Sequence, residues 1–129
     1  AHPATACALT CADVRIDLDL VCETYALVEP PALVPYARSG SLALAEAVAE
    51  AIEHTSCALL QNHGVVTVGG TLLQAFTRME LIEEAARLTL MCRTLGTARH
   101  LSDSEKAELD AYVGRAATPS LPHEGSGGH

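Results

Sequence analysis

The chain has no tryptophan, one phenylalanine and three tyrosines in 129 residues. A core without large aromatic anchors must be assembled from Ala, Leu and Val, and burial against another subunit would help it. Basic residues are also scarce: 8 Lys and Arg stand against 16 Asp and Glu, giving a formal net charge of −8. That field repels a phosphate backbone and argues against nucleic acid as a partner, although local N–H groups can still hold one small phosphate. No apolar run reaches the roughly 20 residues of a membrane span, so no membrane partner is expected. No signal peptide is expected from this sequence. The chain has no Walker-type or dinucleotide-type glycine loop, no serine in a nucleophile elbow and no cysteine in the electropositive setting of a reactive thiolate. It begins at Ala1 and not at methionine, so the natural start is expected to lie upstream.

A hydrophobic share of 49% with a mean hydropathy of +0.21 fits one compact domain long enough to bury a core. The five cysteines (Cys7, Cys11, Cys22, Cys57 and Cys92) are odd in number and lie in apolar segments, which points to reduced, buried thiols and a cytoplasmic location. Cys7 and Cys11 fall four apart on an Ala-rich helix. They could share a metal, but two small core residues are the simpler reading.

Pro3 opens a short helix over 3–12. The strict alternation of Val14, Ile16, Leu18 and Leu20 predicts a strand over 14–20. Pro30, Pro31 and Pro35 frame an extended edge strand at 32–37. Apolar residues at helical spacing over 42–53 predict an amphipathic surface helix. A hairpin follows at 56–61 and 64–69, and Thr71 with Gln74 forms a capping pattern for a helix over 72–95. That helix is apolar nearly all round, so it is expected to be sandwiched in the core or to lie against another subunit. Gly96 ends it, and Ser102 with Glu105 starts a last helix running to about Val113. From Gly114 the composition turns to Gly, Ser, Pro and Thr. The expected organisation is a domain over 1–113 and a flexible tail over 114–129. The pattern is mixed α and β, with an antiparallel hairpin in place of βαβ units.

The hairpin carries the most suggestive chemistry. In Leu59-Leu60-Gln61-Asn62-His63-Gly64-Val65-Val66 a polar turn interrupts two apolar strands, placing the His63 imidazole at a rigid tip. A second histidine, His2, opens the chain in Ala-His-Pro. The two have no ligand spacing of their own, and zinc takes three or four donors. His54, His100, His123 and His129 read as solvated. Glu23 and Glu29 are candidate carboxylates in a loop region. Glu80, Glu83 and Glu84 read as a solvated strip or as an intersubunit contact with Arg78 and Arg87.

Taken together, Ala1-His2-Pro3-Ala4-Thr5-Ala6, Pro35-Tyr36-Ala37 with Gly40-Ser41, the hairpin, and Glu80-Leu81-Ile82-Glu83-Glu84-Ala85-Ala86-Arg87 resemble the class II aldolase/adducin family. The resemblance covers about residues 1 to 113. It implies a mixed, three-layer αβα fold with a central antiparallel-type sheet flanked by helices, its N-terminal part missing from this chain. It implies a homotetramer with active sites between subunits. It further implies a divalent metal, typically zinc, held by three histidines, two from a His-x-His-Pro motif and one from the hairpin. His2 matches the second histidine of that motif and His63 the hairpin ligand; the first would fall just before Ala1. The family's catalytic glutamate and phosphate-binding segments would also lie upstream. Its catalytic tyrosine would fall near Val21, for which Tyr25 is a loose substitute. The implied reaction is reversible aldol cleavage of a sugar phosphate, with the 129-residue chain inactive on its own. The alternatives are a sugar-phosphate epimerase or dehydratase on the same metal site, and a non-enzymatic, adducin-like scaffold or oligomerisation module.

Overall fold

The structure, a computed structural model, describes residues 1–114. Strand β2 (Cys57–Leu60) runs between two partners. β1 (Ala32–Val34) pairs with it in parallel, Ala32 opposite Ala58, and β3 (Gly64–Thr67) pairs antiparallel, Leu59 opposite Val65. Side chains alternate across a strand, so Cys57, Leu59 and Val65 point to one face, and Val34, Ala58 and Leu60 to the other.

On the first face, Ala6 and Leu9 of α1 (Ala4–Cys11) join Ile82, Ala85 and Ala86 of α4 (Leu72–Leu95), with Ile16 and Val28 closing the cluster. On the second, α3 (Leu42–Ile52) lays Leu44, Ala47, Val48, Ala51 and Ile52 against the sheet. All four β2 residues are buried, as a strand covered on both faces requires. The three-layer αβα class expected from the sequence is therefore present. No Phe, Tyr or Trp is among its buried residues: Phe76, Tyr36 and Tyr112 are exposed and Tyr25 is half-buried.

Several local expectations need correction. The hairpin does not replace βαβ units, because β1, α3 and β2 form one, with α3 as the crossover between parallel strands. Residues 14–20 are not a strand. Ile16 is buried at 3% exposure, but the Asp17 N–H bonds to Oγ1 of Thr89 at 2.9 Å, and Leu18–Leu20 turn into a 3-10 helix. Of the alternating set, Ile16 is in the larger cluster and Val14 and Leu18 pack against it, but no strand pairs with this segment among the described residues. A short helix, α2 (Cys22–Leu27), follows where no element was expected. Of the five free cysteines only Cys57 is buried, while Cys11 and Cys22 are exposed.

The helix ends follow the sequence closely. Thr71 Oγ1 accepts from the Gln74 N–H at 3.2 Å, and Gln74 Oε1 reaches back to the Gly70 N–H at 3.0 Å. Gly96, at φ +79°, ends α4 in the left-handed region. Ser102 and Glu105 form the complete capping box of α5 (Asp103–Val113). Gly114 closes α5 at φ +70°. The remainder of the expected tail, with His123 and His129, lies outside the described residues.

Along α4 the buried side chains Ile82, Ala85, Ala86 and Thr89 form one stripe, and Leu72, Leu73, Phe76, Leu90, Met91 and Leu95 are exposed around the rest of the helix. Among the described residues the helix is thus covered on one side only.

α5 is fastened by polar contacts. Asp19 accepts from Lys106 Nζ at 2.6 Å, meets Nδ1 of His100 at 2.8 Å, and takes the Leu101 N–H on its carbonyl at 2.8 Å. His100 is therefore part of a clasp and not simply solvated. Burial raises the Asp19 carboxyl, but the Lys106 and His100 contacts outweigh it and hold the group below its ordinary value of 3.8.

Two outcomes follow from this packing. Ile82 is fully buried at the centre of the larger cluster, so Ile82→Ala is expected to cost about 2–5 kcal/mol in chemical denaturation. A depressed folded value means that the Asp19 contribution is complete above its ordinary value and is lost as pH falls through the folded value. Unfolding free energy measured from about pH 6 to about pH 2 should therefore drop at the acid end, and Asp19→Asn should flatten part of that drop.

Candidate metal centre at the hairpin tip

Three residues, Gln61, Asn62 and His63, turn β2 into β3. Asn62 adopts φ +55°, a left-handed conformation that asparagine tolerates better than most side chains. The His63 N–H then closes onto the Leu60 carbonyl at 3.1 Å. Gln61 ties the turn to its surroundings: its N–H bonds to the Val34 carbonyl at 3.0 Å, its Nε2 to Asp13 Oδ1 at 3.1 Å, and its Oε1 accepts from the Tyr36 N–H at 3.3 Å. Cys7 Sγ donates to the His63 carbonyl at 3.9 Å. Burial, then Cys11 and Glu83, push that thiol up.

The start of the chain comes to the same place. Ala1 exchanges hydrogen bonds with Val65 in both directions, at 2.9 and 3.0 Å, which is an antiparallel bridge on the outer edge of β3. Gly64 allows this approach. A Cβ there would lie 2.5 Å from the Ala1 carbonyl oxygen and 3.1 Å from Cδ2 of His2. As a result the His2 and His63 rings stand 5.5 Å apart, centroid to centroid, inclined by 33°. The two histidines singled out in the sequence are neighbours in space. Nδ1 of His63 is buried and has no hydrogen-bond partner among the described residues.

An orphaned, buried imidazole nitrogen beside a second imidazole fits a divalent metal with nitrogen preference, zinc included. The fit is to part of a coordination shell. Among the described residues no group of three or more His, Cys, Asp or Glu side chains gathers closely enough to hold a metal by itself.

The other candidates lie elsewhere. The Tyr25 hydroxyl donates to Oδ2 of the buried Asp110 at 3.0 Å, and Lys106 Nζ sits 6.0 Å from its ring, so Tyr25 joins α2 to α5. Glu29 accepts the Ser56 N–H at 2.9 Å and serves the entry into β2. Glu23 and His54 are exposed.

The strip reading of Glu80, Glu83 and Glu84 fails for Glu83. Its carboxylate accepts the Thr5 N–H at 3.0 and 3.1 Å and the Ala6 N–H at 2.9 Å, with Arg87 Nε at 3.5 Å. Burial raises this carboxyl, but the Ala6 and Thr5 hydrogen bonds and Arg87 together hold it below its ordinary value. The sequence holds one signal for this residue: α1 starts at Pro3 with no polar side chain of its own to cap it. Arg78 donates to the Val68 carbonyl and so supports the exit of β3.

Comparison with known proteins agrees with this geometry. Residues 1–90 match the family described as Class II Aldolase and Adducin N-terminal domain. An L-fuculose phosphate aldolase of Methanococcus maripaludis is 34% identical over 95 residues, which are 74% of this chain and 51% of that protein. A 3-oxo-tetronate 4-phosphate decarboxylase of Escherichia coli is 40% identical over 79 residues, 60% of this chain and 36% of that one. Among solved structures, an L-fuculose 1-phosphate aldolase superposes with a TM-score of 0.74 at 26% identity, covering 87% of this chain and 52% of its own. The chain thus spans about half the length of the aldolases it matches. With residues 1–90 matched by the family's model and the fold shared with an aldolase structure, the chain belongs to the class II aldolase and adducin family.

Proposed function

We propose that this chain contributes two ligands, His2 and His63, to the zinc centre of a lyase that cleaves a sugar phosphate by a reversible aldol reaction. The observation that carries the proposal is the ring pair at 5.5 Å, assembled from two histidines far apart in sequence at a site where one ring nitrogen is buried without a partner. Zinc, when bound, supplies a Lewis acid for the oxyanion left as a carbon–carbon bond next to a carbonyl breaks.

The chain's own residues prepare that site. His2 and His63 present neutral nitrogen donors, which leave a bound cation its full charge. The bridge from Ala1 to Val65 and the Gln61 contacts hold the two segments that carry these rings at the same turn. Two imidazoles fall short of the three or four donors that zinc takes, so the 129-residue chain is inactive by itself in this reading. Tyr25, whose hydroxyl donates to Asp110, is given no role in this reading.

The exposed stripe of α4, with Leu72, Phe76 and Leu90, is the surface we assign to subunit contacts in a homotetramer. Five unpaired thiols suit a reducing, cytoplasmic location. A second reading is favoured by the 40% identity to a 3-oxo-tetronate 4-phosphate decarboxylase. Loss of carbon dioxide from a 3-oxo acid leaves the same kind of oxyanion as aldol cleavage, so one metal cage serves both reactions.

Zinc titration followed by NMR should move the His2 and His63 ring signals together, and His63→Ala should abolish the response at His2. Independent titration of the two rings would remove them from a common site. Assays for retro-aldol cleavage of L-fuculose 1-phosphate, and for carbon dioxide release from 3-oxo-tetronate 4-phosphate, should show no turnover by the 129-residue chain above a zinc blank. Turnover would mean that the site needs no further residues.

A further inference from the structure

Helix α1 has an unusual start. Its N-cap is Pro3, which offers no side-chain acceptor, and the free N–H groups of the first turn are taken by a carboxylate from another helix. That carboxylate is Glu83 of α4, only 16% exposed, with Thr5 and Ala6 both donating to it. Hydrogen bonds to an ionised acceptor are the stronger kind, and two of them from adjacent residues fix direction as well as distance.

The contact does more than end a helix. It ties the first turn of α1 to α4, and α4 packs through Ile82 and Ala86 into the cluster that also holds Val65 of the hairpin strand. On the other side of His2, Ala1 is pinned to Val65 in both directions. Between these anchors stand only His2, Pro3 and Ala4, and Pro3 has a fixed φ of −64°. His2 is therefore held at both ends, by the bridge at Ala1 and by Glu83 at Thr5 and Ala6.

We infer that Glu83 is a positioning residue of the metal centre: its grip on the first turn of α1 sets the His2 ring opposite His63. The consequence for metal affinity rests on the ligand assignment proposed above, whereas the placement of the ring does not. The two are tested separately on the 129-residue chain.

Without metal, an NMR cross-peak between the His2 and His63 rings reports their approach. Glu83→Ala is expected to lose it while circular dichroism shows the helices retained. Glu83→Gln, which keeps the volume but turns one acceptor into a donor, is expected to weaken it. Adding Pro3→Ser to Glu83→Ala restores a local cap without the tie to α4, and the cross-peak should stay absent. With zinc, the joint response of the two rings should need about 10–100-fold more metal in Glu83→Ala, the usual size of an effect from a group that orients a ligand. An unchanged cross-peak in either single variant, or its recovery on adding Pro3→Ser, overturns the inference; in the latter case Glu83 would be only a cap. Zinc that leaves both wild-type rings unmoved defeats the ligand assignment instead, and the metal-free cross-peak still decides the role of Glu83.

Discussion

Everything in this fold is arranged around one four-residue strand that has no surface of its own. Cys57, Ala58, Leu59 and Leu60 are all buried, so β2 must have helices on both faces and strands on both edges. Burial pushes the Cys57 thiol up to about 12, with Arg78 opposing, which keeps it a small core residue and removes it from chemistry. The requirement for cover explains the connectivity. α3 crosses from β1 to β2 over one face, and the hairpin returns β3 so that α1 and α4 can close the other.

A core this small and poor in aromatics cannot fix its layers by apolar contact alone, since apolar packing has little directional preference. Polar ties supply the direction. Glu29 accepts the Ser56 N–H where β2 begins, Gln61 bonds to Val34 and Asp13 where it ends, and Thr89 of α4 takes the Asp17 N–H. Asp19 does the same for α5. Each joins segments distant in sequence, and those of Glu29, Thr89 and Asp19 are part-buried, where competition from water is reduced.

This division sets what can be read from the sequence. The helices over 42–52, 72–95 and 103–113 are legible because local signals define them: spacing at 3.6 residues, Ser41, Thr71 and Ser102 as caps, Gly96 and Gly114 as stops. The hairpin is legible because Asn62 and Gly64 are each the residue its geometry needs. The strand expected over 14–20 fails because alternation records which side chains are buried and not which backbone groups are paired. Asp17 pairs with a side chain that is 72 positions away. The parallel placement of β1, the clasp on His100 and the inward turn of Glu83 are invisible for the same reason. Each depends on a partner that only the folded chain brings near. In the candidate site, residue types pointed to His2 and His63, but only the Ala1–Val65 bridge makes them neighbours.

The choice of imidazoles at that corner also has an electrostatic logic. The chain carries a formal net charge of −8, a field that opposes the approach of any anion. A metal held by carboxylates would lose much of its positive charge to its own ligands and leave that repulsion standing. Neutral donors such as imidazoles leave a divalent cation uncompensated, so in the proposed site the local potential at the hairpin tip would oppose that of the scaffold. Gln61 of the hairpin donates to the Asp13 carboxylate, and Glu83 accepts from the Thr5 and Ala6 N–H groups and faces Arg87, so each of these carboxylates already has partners of its own. A strongly acidic protein that holds a cation on neutral donors can in this way carry one cationic point within an anionic field.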